Sequence, residues 1–152
     1  MPSTRIPIKT KTTLSIGTDC SGIEVPIQAM ENTNISYQFK FRSEIDPKVR
    51  EIIDAYFKPD VLYHDITKRD VTKVPHVDIY VTGFPCQPFS TAGKQQGFED
   101  EQSRGTIIFH VLKYIRKHKP KIFILENVEG ITTLKQGEYL DTIMRELYQI
   151  SQ

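Results

Sequence analysis

The sequence has few of the compositional features, such as many cysteines or a large net charge, that are typical of specialised protein classes. It has no Trp, only two Cys, and 20 basic against 19 acidic residues, which gives a net charge of +1. A balance of this kind produces no whole-molecule field that selects nucleic acid or a membrane, so any such binding must come from local patches. The length of 152 residues and the hydrophobic content of 38% fit one folded domain whose core needs no disulfides.

The cysteines and the apolar segments exclude several kinds of site. Cys20 and Cys86 form no Cys-x-x-Cys pair, which speaks against a metal site and a secreted disulfide scaffold and favours a reducing compartment. The longest apolar run is about four residues, too short to cross a membrane. Residues 1–13 are polar and contain Pro2 and Pro7, so we expect a flexible N-terminal arm without a secretory signal. The sequence thus predicts a cytoplasmic protein, or a nuclear one if the host is eukaryotic.

Strand and helix patterns alternate from residue 14 onward. Apolar or alternating stretches predict strands at 14–17, 37–42, 61–63, 77–83 and 121–125. In the second strand, Tyr37, Phe39 and Phe41 alternate with polar residues. Helical spacing predicts helices at 21–30, 47–57, 107–119 and from 140 to the C-terminus. A Ser21–Glu24 capping box is expected to begin the first of these helices, and Asp46 with Pro47 the second. This alternation predicts an α/β fold, a parallel sheet with helices on both faces that ends after the fifth strand.

Polar residues follow the predicted strands, at the edge of the sheet where ligands bind in such folds. The first loop, TDCSGIE at 18–24, has a single Gly and therefore lacks the standard dinucleotide and phosphate fingerprints. Glu44 follows the second strand and is placed either to accept hydrogen bonds from ribose hydroxyls or to remain a solvated loop carboxylate. Asp65 follows the third strand, where the simplest role for it is turn or capping chemistry.

Two further residues point to covalent chemistry. Cys86 follows a buried strand and lies between Pro85 and Pro88, a rigid strand-end turn that favours a nucleophilic thiol over a small core side chain. Glu126 and Asn127 directly follow the fifth strand. A carboxyl at the end of an apolar strand is partly desolvated, so Glu126 is expected either to stay protonated and donate a hydrogen bond or to pair with a local amide.

Three segments together resemble the C5-cytosine DNA methyltransferase family in order and spacing. They are GFPCQPFSTAGKQQGFED at 83–100, SRGTIIF at 103–109 and PKIFILENVEGI at 120–131. The resemblance covers roughly residues 14–150 and implies a Rossmann-like, S-adenosylmethionine-dependent methyltransferase fold. It implies that Cys86 attacks C6 of a cytosine flipped out of double-stranded DNA. Glu126 would hold N3, Asn127 would orient the strand-end turn, and C5 would take the methyl group.

The resemblance also implies contacts to the cofactor and to DNA. Ser21, Gly22 and Ile23 would contact the methionine part of S-adenosylmethionine, Glu44 the ribose, and Asp65 and Ile66 the adenine, with Pro85 and Ile107 packed beside them. Residues 87–102 would form a mobile loop that closes on DNA, with Gly93 and Gly97 as flexible points. Ser90, Lys94 and Arg104 would lie near phosphates or the catalytic turn.

The sequence departs from the family pattern in three places. The first motif reads TDCSGIEV, so Cys20 replaces an aromatic residue and two glycines are lost, and Glu101 and Gln102 look like an insertion. The chain also ends at Gln152, before the family's Gln-x-Arg-x-Arg segment and target-recognition region, so residues 14–152 would form a partial catalytic domain.

These departures bear on partners and on activity. We expect the exposed fifth strand to be covered by a second subunit with a target-recognition domain or by homodimerisation, and the chain alone to be inactive. Two other functions stay open. One is a non-catalytic module that binds the cofactor or a partner methyltransferase, and the other is a fragment of a tRNA cytosine C5-methyltransferase.

Overall fold

Five parallel strands form the centre of the molecule in a computed structural model that describes residues 12–90 and 93–152. The strands are β1 (Leu14–Asp19), β2 (Tyr37–Ser43), β3 (Val61–Tyr63), β4 (Ile79–Gly83) and β5 (Ile122–Glu126). They pair in the order β3-β2-β1-β4-β5. The predicted arm at residues 1–13 lies outside the described residues except for Thr12 and Thr13. All five predicted strands are confirmed, with ends that differ by a few residues.

Five helices connect or follow these strands: α1 (Val25–Asn32), α2 (Pro47–Asp54), α3 (Ile107–His118), α4 (Gly130–Thr133) and α5 (Glu138–Ser151). The predicted start of α2 is confirmed, because the Asp46 carboxylate accepts hydrogen bonds from the backbone N–H groups of Lys48 and Val49. The short helix α4 was not predicted. No helix in the described part of the chain is long and apolar enough to span a bilayer.

The sheet separates two cores, and a β-bulge decides which side chains of β2 enter each. The register between β1 and β2 shifts between Ile16 and Gly17, so Phe39 packs against α1 while Phe41 packs in the larger core with α3. The alternation of Tyr37, Phe39 and Phe41 with polar residues therefore does not put all three on one face, because a bulge inserts one residue and breaks the two-residue period. Gly17 permits this arrangement, since a Cβ there would lie 2.3 Å from the Phe41 ring.

The helix after β1 begins later than the sequence predicted. Cys20, Gly22 and Glu24 have left-handed backbone conformations with φ of 51°, 51° and 59°, which no right-handed helix can contain. The Ser21–Glu24 capping box is therefore wrong, and α1 begins at Val25. Pro26 falls in the first turn, where its missing N–H costs nothing. Glu24 instead turns inward, and its buried carboxylate accepts hydrogen bonds from the Thr18 hydroxyl.

Candidate active site

A cavity of about 770 Å³ lies beyond the carboxyl ends of the strands, and all five strands contribute to it. Its lining residues follow the strand tips directly: Gly22 after β1, Glu44 after β2, Asp65 after β3, Cys86 after β4, and Glu126 at the end of β5. The strand order reverses between β1 and β4, which is the position where parallel sheets of this kind bind ligands. The five strand-end positions that the sequence singled out thus face one cavity.

Cys86 lies in a turn that the core holds on both sides. Phe84 and Phe89 are buried, with their rings 6.2 Å apart in an edge-to-face contact. The carbonyl of Cys86 accepts hydrogen bonds from the N–H groups of Phe89 and Ser90, each at 2.9 Å. The thiol itself is only partly buried and lines the cavity. The turn therefore fixes the backbone of Cys86 while its side chain stays accessible to a ligand.

Glu126 lies beside this turn because β5 pairs with β4. Gly83 and Glu126 are register partners, and a Cβ on Gly83 would come within 2.9 Å of Glu126 Oε2. The Glu126 carboxylate thus rests against the bare backbone of the residue that begins the GFPC segment. The predicted desolvation of Glu126 is wrong, because the residue is exposed. Among the described residues, β5 is an edge strand and no further strand covers its tip.

Asn127 joins the tips of β4 and β5. Its side-chain Nδ2 donates to the carbonyl of Phe84 at 2.9 Å, and its Oδ1 accepts from the N–H of Val128 at 3.0 Å. Asn127 is not among the residues that line the cavity. It links the turn that carries Cys86 to the strand that carries Glu126, and its role in orienting the catalytic turn stays a prediction.

The loops at the other end of the cavity hold one another. The N–H of Gly22 donates to Glu44 Oε2 at 2.9 Å, and Glu44 Oε1 accepts from the N–H of Asp46 at 2.9 Å. Asp65 makes a local turn by accepting from the N–H and the hydroxyl of Thr67. These residues line the cavity together with the apolar side chains of Ile66, Pro85 and Ile107.

Two residues of the first loop lie elsewhere. Ser21 and Ile23 are not among the lining residues, and Ile23 is 61% exposed. Their expected contact with the methionine part of the cofactor therefore stays a prediction.

Two of the three expected DNA contacts are engaged in ion pairs. Arg104 lines the cavity but pairs with the carboxylate of Asp100 through its Nη2 at 2.7 Å and its Nε at 3.0 Å. These bonds lower the pKa of Asp100 to about 2. Lys94 lies outside the cavity lining and pairs with Glu101 at 3.1 Å. Ser90 also lies outside the lining and donates its N–H to the Cys86 turn.

The segment expected to move on DNA is anchored at one of its two proposed flexible points. Gly97 has a φ of 56° and is buried under Tyr139, so that a Cβ would lie 2.0 Å from the ring. Phe98 packs edge-to-face against both Phe89 and Tyr139. Gly97 is therefore a close-packing glycine, and the prediction of a flexible point there is wrong.

Several cavity residues were not predicted from the sequence. Cys20 lines the cavity, and its burial, together with Asp19 and Glu44, raises the pKa of its thiol to about 12. His110 projects from α3 into the same space, and burial lowers the pKa of its ring. The position of His110 one helical turn after Ile107 is a signal that could have found it, since residues three apart share a helix face.

A buried polar cluster beneath the cavity was also missed. The Asp19 carboxylate, fully buried at the tip of β1, accepts hydrogen bonds from Arg69, Tyr80 and Ser43. An Asp that ends an apolar strand is a visible signal of such a site, but nothing in the sequence identifies Arg69 as its partner. A buried carboxylate must be paired or hydrogen-bonded, and only the fold shows with what.

Comparisons with known proteins agree with this geometry. The sequence profile of the family described as C-5 cytosine-specific DNA methylase matches residues 15–151. Type II methyltransferase M.NgoBV of Neisseria gonorrhoeae is 42% identical over 120 residues, which cover 79% of this chain and 28% of that protein. M.HpaII of Haemophilus parainfluenzae is 43% identical over 116 residues, covering 75% of this chain and 32% of that protein. M.NgoBI, also of N. gonorrhoeae, is 36% identical over 140 residues, covering 91% and 41%.

Among solved structures, the S. pombe Dnmt2 methyltransferase superposes with a TM-score of 0.62 at 19% identity, covering 88% of this chain and 40% of that one. This likeness supports the fold. The chain spans between about a quarter and two fifths of the length of the curated relatives it matches. Because the family profile extends over nearly all the residues described above, the chain belongs to the C-5 cytosine-specific DNA methylase family.

Proposed function

We propose that this chain carries the cofactor-binding and nucleophilic part of a DNA cytosine C5-methyltransferase. The observation that carries the proposal is that Cys86 and Glu126, on neighbouring strand tips, line one cavity with Glu44 and Asp65. The thiol and the carboxyl can act on one ring, and the carboxylates after β2 and β3 leave room for a nucleoside. A module without catalytic activity would have no chemical use for this pair.

The residues around the cavity suit S-adenosylmethionine. A volume of about 770 Å³ lies within the range of about 300–1,000 Å³ usual for small-molecule sites. Ile66, Pro85 and Ile107 offer apolar walls to a purine. Each carboxylate oxygen of Glu44 accepts one backbone N–H and keeps a second lone pair for a ribose hydroxyl. When bound, S-adenosylmethionine supplies an electrophilic methyl group on its sulfonium sulfur.

In the proposed reaction, the target cytosine leaves the DNA stack so that its ring can enter the cavity. The Cys86 thiolate forms a bond to C6, and the electron pair of the C5–C6 double bond moves into the ring. Glu126 stabilises that charge through a proton or hydrogen bond at N3, which makes C5 nucleophilic. After C5 has taken the methyl group, its proton passes to a solvent base. The C6–S bond then breaks, which restores the ring and the Cys86 thiolate.

The surrounding turn supports this chemistry by fixing the distance between the two groups. Asn127 bonds the carbonyl of Phe84, two residues before the nucleophile, and its own backbone follows Glu126. Positioning of reacting groups accounts for a large part of enzymatic rate enhancement, and small displacements are costly. We therefore assign Asn127 a positioning role. Arg104 and Lys94 would contact DNA phosphates only after exchanging their present partners, Asp100 and Glu101.

We also propose that further polypeptide covers β5. Ile122 and Ile124 are 53% and 51% exposed on one face of this edge strand. On the other face, Phe123 and Leu125 border an apolar groove of about 410 Å³ beside α5. Exposed, apolar edge strands pair readily with other chains. This chain matches only 28% and 41% of two of its relatives, so more than half of their sequence is left to supply a covering strand and the part that reads DNA.

Covalent trapping on DNA tests the proposed function. Duplex DNA containing 5-fluorocytosine blocks the loss of the C5 substituent, so an enzyme that forms the Cys86–C6 bond stays attached. The chain is mixed with this DNA, S-adenosylmethionine and the C-terminal remainder of M.NgoBV, or the polypeptide encoded beside this chain. We expect a complex that resists denaturation and that Cys86→Ser abolishes. The matched control Cys20→Ser, which removes the other thiol of the cavity, should still trap. Equal trapping by Cys86→Ser would exclude Cys86 as the nucleophile.

A further inference from the structure

The buried cluster around Asp19 contains a side chain held by several contacts at once, that of Arg69. The Arg69 guanidinium, 3% exposed, pairs with both oxygens of Asp19, and Nη1 donates to Oδ1 at 2.5 Å. The rings of Phe41, Tyr63 and Tyr114 surround the guanidinium carbon at 5.3–5.8 Å. A planar cation in this setting is fixed by two parallel hydrogen bonds and by ring contacts at once.

Asp19, Ser43 and Arg69 of this cluster each lie next to a loop that lines the cavity. Asp19 directly precedes Cys20 and Gly22, and Ser43 directly precedes Glu44. Arg69 follows Thr67 by two residues and Asp65 by four. Within the turn at 65–68, Asp65 bonds Thr67 and Lys68, and Ile66 packs into the large core. The ion pair between Asp19 and Arg69 is thus the direct link between the loop after β3 and the tip of β1.

A buried ion pair is by itself weak evidence for stability. Two charges in a protein interior lose their hydration, and apolar residues of similar size often give equal or greater stability. Its directional bonds, in contrast, specify where the attached loops sit.

We propose that Arg69 is a positioning residue, which through Asp19 holds residues 64–68 in the conformation that binds the nucleoside part of the cofactor. The inference rests on the proposed function for the identity of the ligand. It does not rest on that function for the anchoring of the loop, which is a property of the ligand-free chain. Loss of the anchor leaves the loop to be ordered at the moment of binding, and fixing even one or two residues costs about tenfold in affinity.

Hydrogen exchange on the ligand-free chain of 152 residues tests the anchor. The variants are Arg69→Met, Arg69→Lys and Asp19→Asn. Arg69→Lys keeps the positive charge but cannot form the two parallel hydrogen bonds of a guanidinium to the Asp19 carboxylate. The matched control is Arg42→Met, because Arg42 is equally buried and pairs with Asp54 on the opposite face of the sheet. We expect residues 64–68 to lose protection in all three test variants relative to residues 111–115 of α3. In the control, both segments should change together.

Titration with S-adenosylhomocysteine, followed by NMR on the same proteins, tests the consequence. We expect Arg69→Met to raise Kd by about tenfold or more and Arg69→Lys to raise it less, whereas Arg42→Met should change it less than about threefold. If residues 64–68 keep their protection in Arg69→Met and Asp19→Asn, the anchor is refuted. If exchange responds as expected but the unaltered chain binds no S-adenosylhomocysteine, the anchor stands and the proposed function fails.

Discussion

At the scale of single residues, Gly83 links the position of Glu126 to the backbone of the neighbouring strand. A Cβ at Gly83 would displace the end of the Glu126 side chain, which it would approach to 2.9 Å. We expect Gly83→Ala to leave the melting temperature almost unchanged, since a flexible side chain can move aside. Trapping or methyl transfer should fall by about a hundredfold, the effect of an ångström-scale displacement. Glu126→Gln serves as the reference for full loss of the carboxyl, and a fully active Gly83→Ala would contradict the assigned position.

Glu24 makes the stability of the chain depend on pH. Burial raises the pKa of its carboxyl from an ordinary 4.5 to about 7, although the Thr18 hydroxyl and Arg42 act in the opposite direction and Glu44 adds to the rise. Because the folded pKa lies above the unfolded one, the stabilising contribution is complete below pH 4.5 and is lost as pH rises through 7. Glu24→Gln should remove this loss and stabilise the protein above pH 7 by roughly 2–3 kcal/mol.

Unfolding in urea between pH 4.5 and 8 checks this prediction. The difference in free energy of unfolding between Glu24→Gln and the unaltered chain should grow steadily with pH and level off above 7. A difference that is constant over this interval would show that the carboxyl does not titrate with the fold.

The cavity residues that could be predicted from the sequence are those that come at the end of a recognisable strand. Cys86, Glu126, Glu44 and Asp65 follow predicted strands, so the topology alone brought them to one edge of the sheet. The Asp19–Arg69 pair could not be predicted because its two residues lie 50 positions apart. Their meeting depends on the loop after β3 folding back over the sheet, a tertiary event without a local signal.

At the scale of the elements, the segment at 97–99 illustrates how a glycine can be misjudged from sequence. A Gly in a polar stretch suggests a flexible point, yet the structure uses Gly97 to let Tyr139 of α5 pack directly on the backbone. Similarly, the predicted start of α1 was wrong because the sequence TDCSGIE does not indicate that three of the five residues 20–24 have a left-handed backbone. The strands and the longer helices were predictable, because their apolar period follows directly from their burial.

Gly97→Ala provides a test of this packing. We expect it to lower the free energy of unfolding by about 1–3 kcal/mol, since it overpacks the contact with Tyr139 and strains a positive φ. Gly22→Ala is a matched control with a φ of 51° and nothing within 4 Å of the added methyl group, so it carries the backbone strain alone. Urea unfolding measures the loss of unfolding free energy in both variants. Equal losses would mean that Tyr139 moves aside without any loss of stability, which would contradict the assigned packing role of Gly97.

At the scale of the whole molecule, the two edges of the sheet differ. β3 is only three residues long, a common protection of sheet edges, whereas β5 has five residues and exposes Ile122 and Ile124. We expect the chain alone to self-associate with rising concentration and Ile124→Lys to suppress this. Sedimentation velocity measures the effect, and Leu62→Lys on β3, at 49% exposure, is the control at the other edge. Equal suppression by both variants would show that association does not run through β5.

The strand order has a consequence for how such a protein can change. Most residues proposed to hold the methyl donor follow β1, β2 and β3, with Pro85 and Ile107 packed beside them. Cys86 and Glu126, proposed to act on the acceptor base, lie at the ends of β4 and β5, at one edge of the sheet. A polypeptide that pairs with β5 therefore lies next to the residues proposed to act on the acceptor base and farther from those proposed to hold the methyl donor. Selection of the DNA site and binding of the methyl donor thus depend on different parts of the sheet. A different partner polypeptide could change the DNA site that is methylated without any change in the residues that bind the donor.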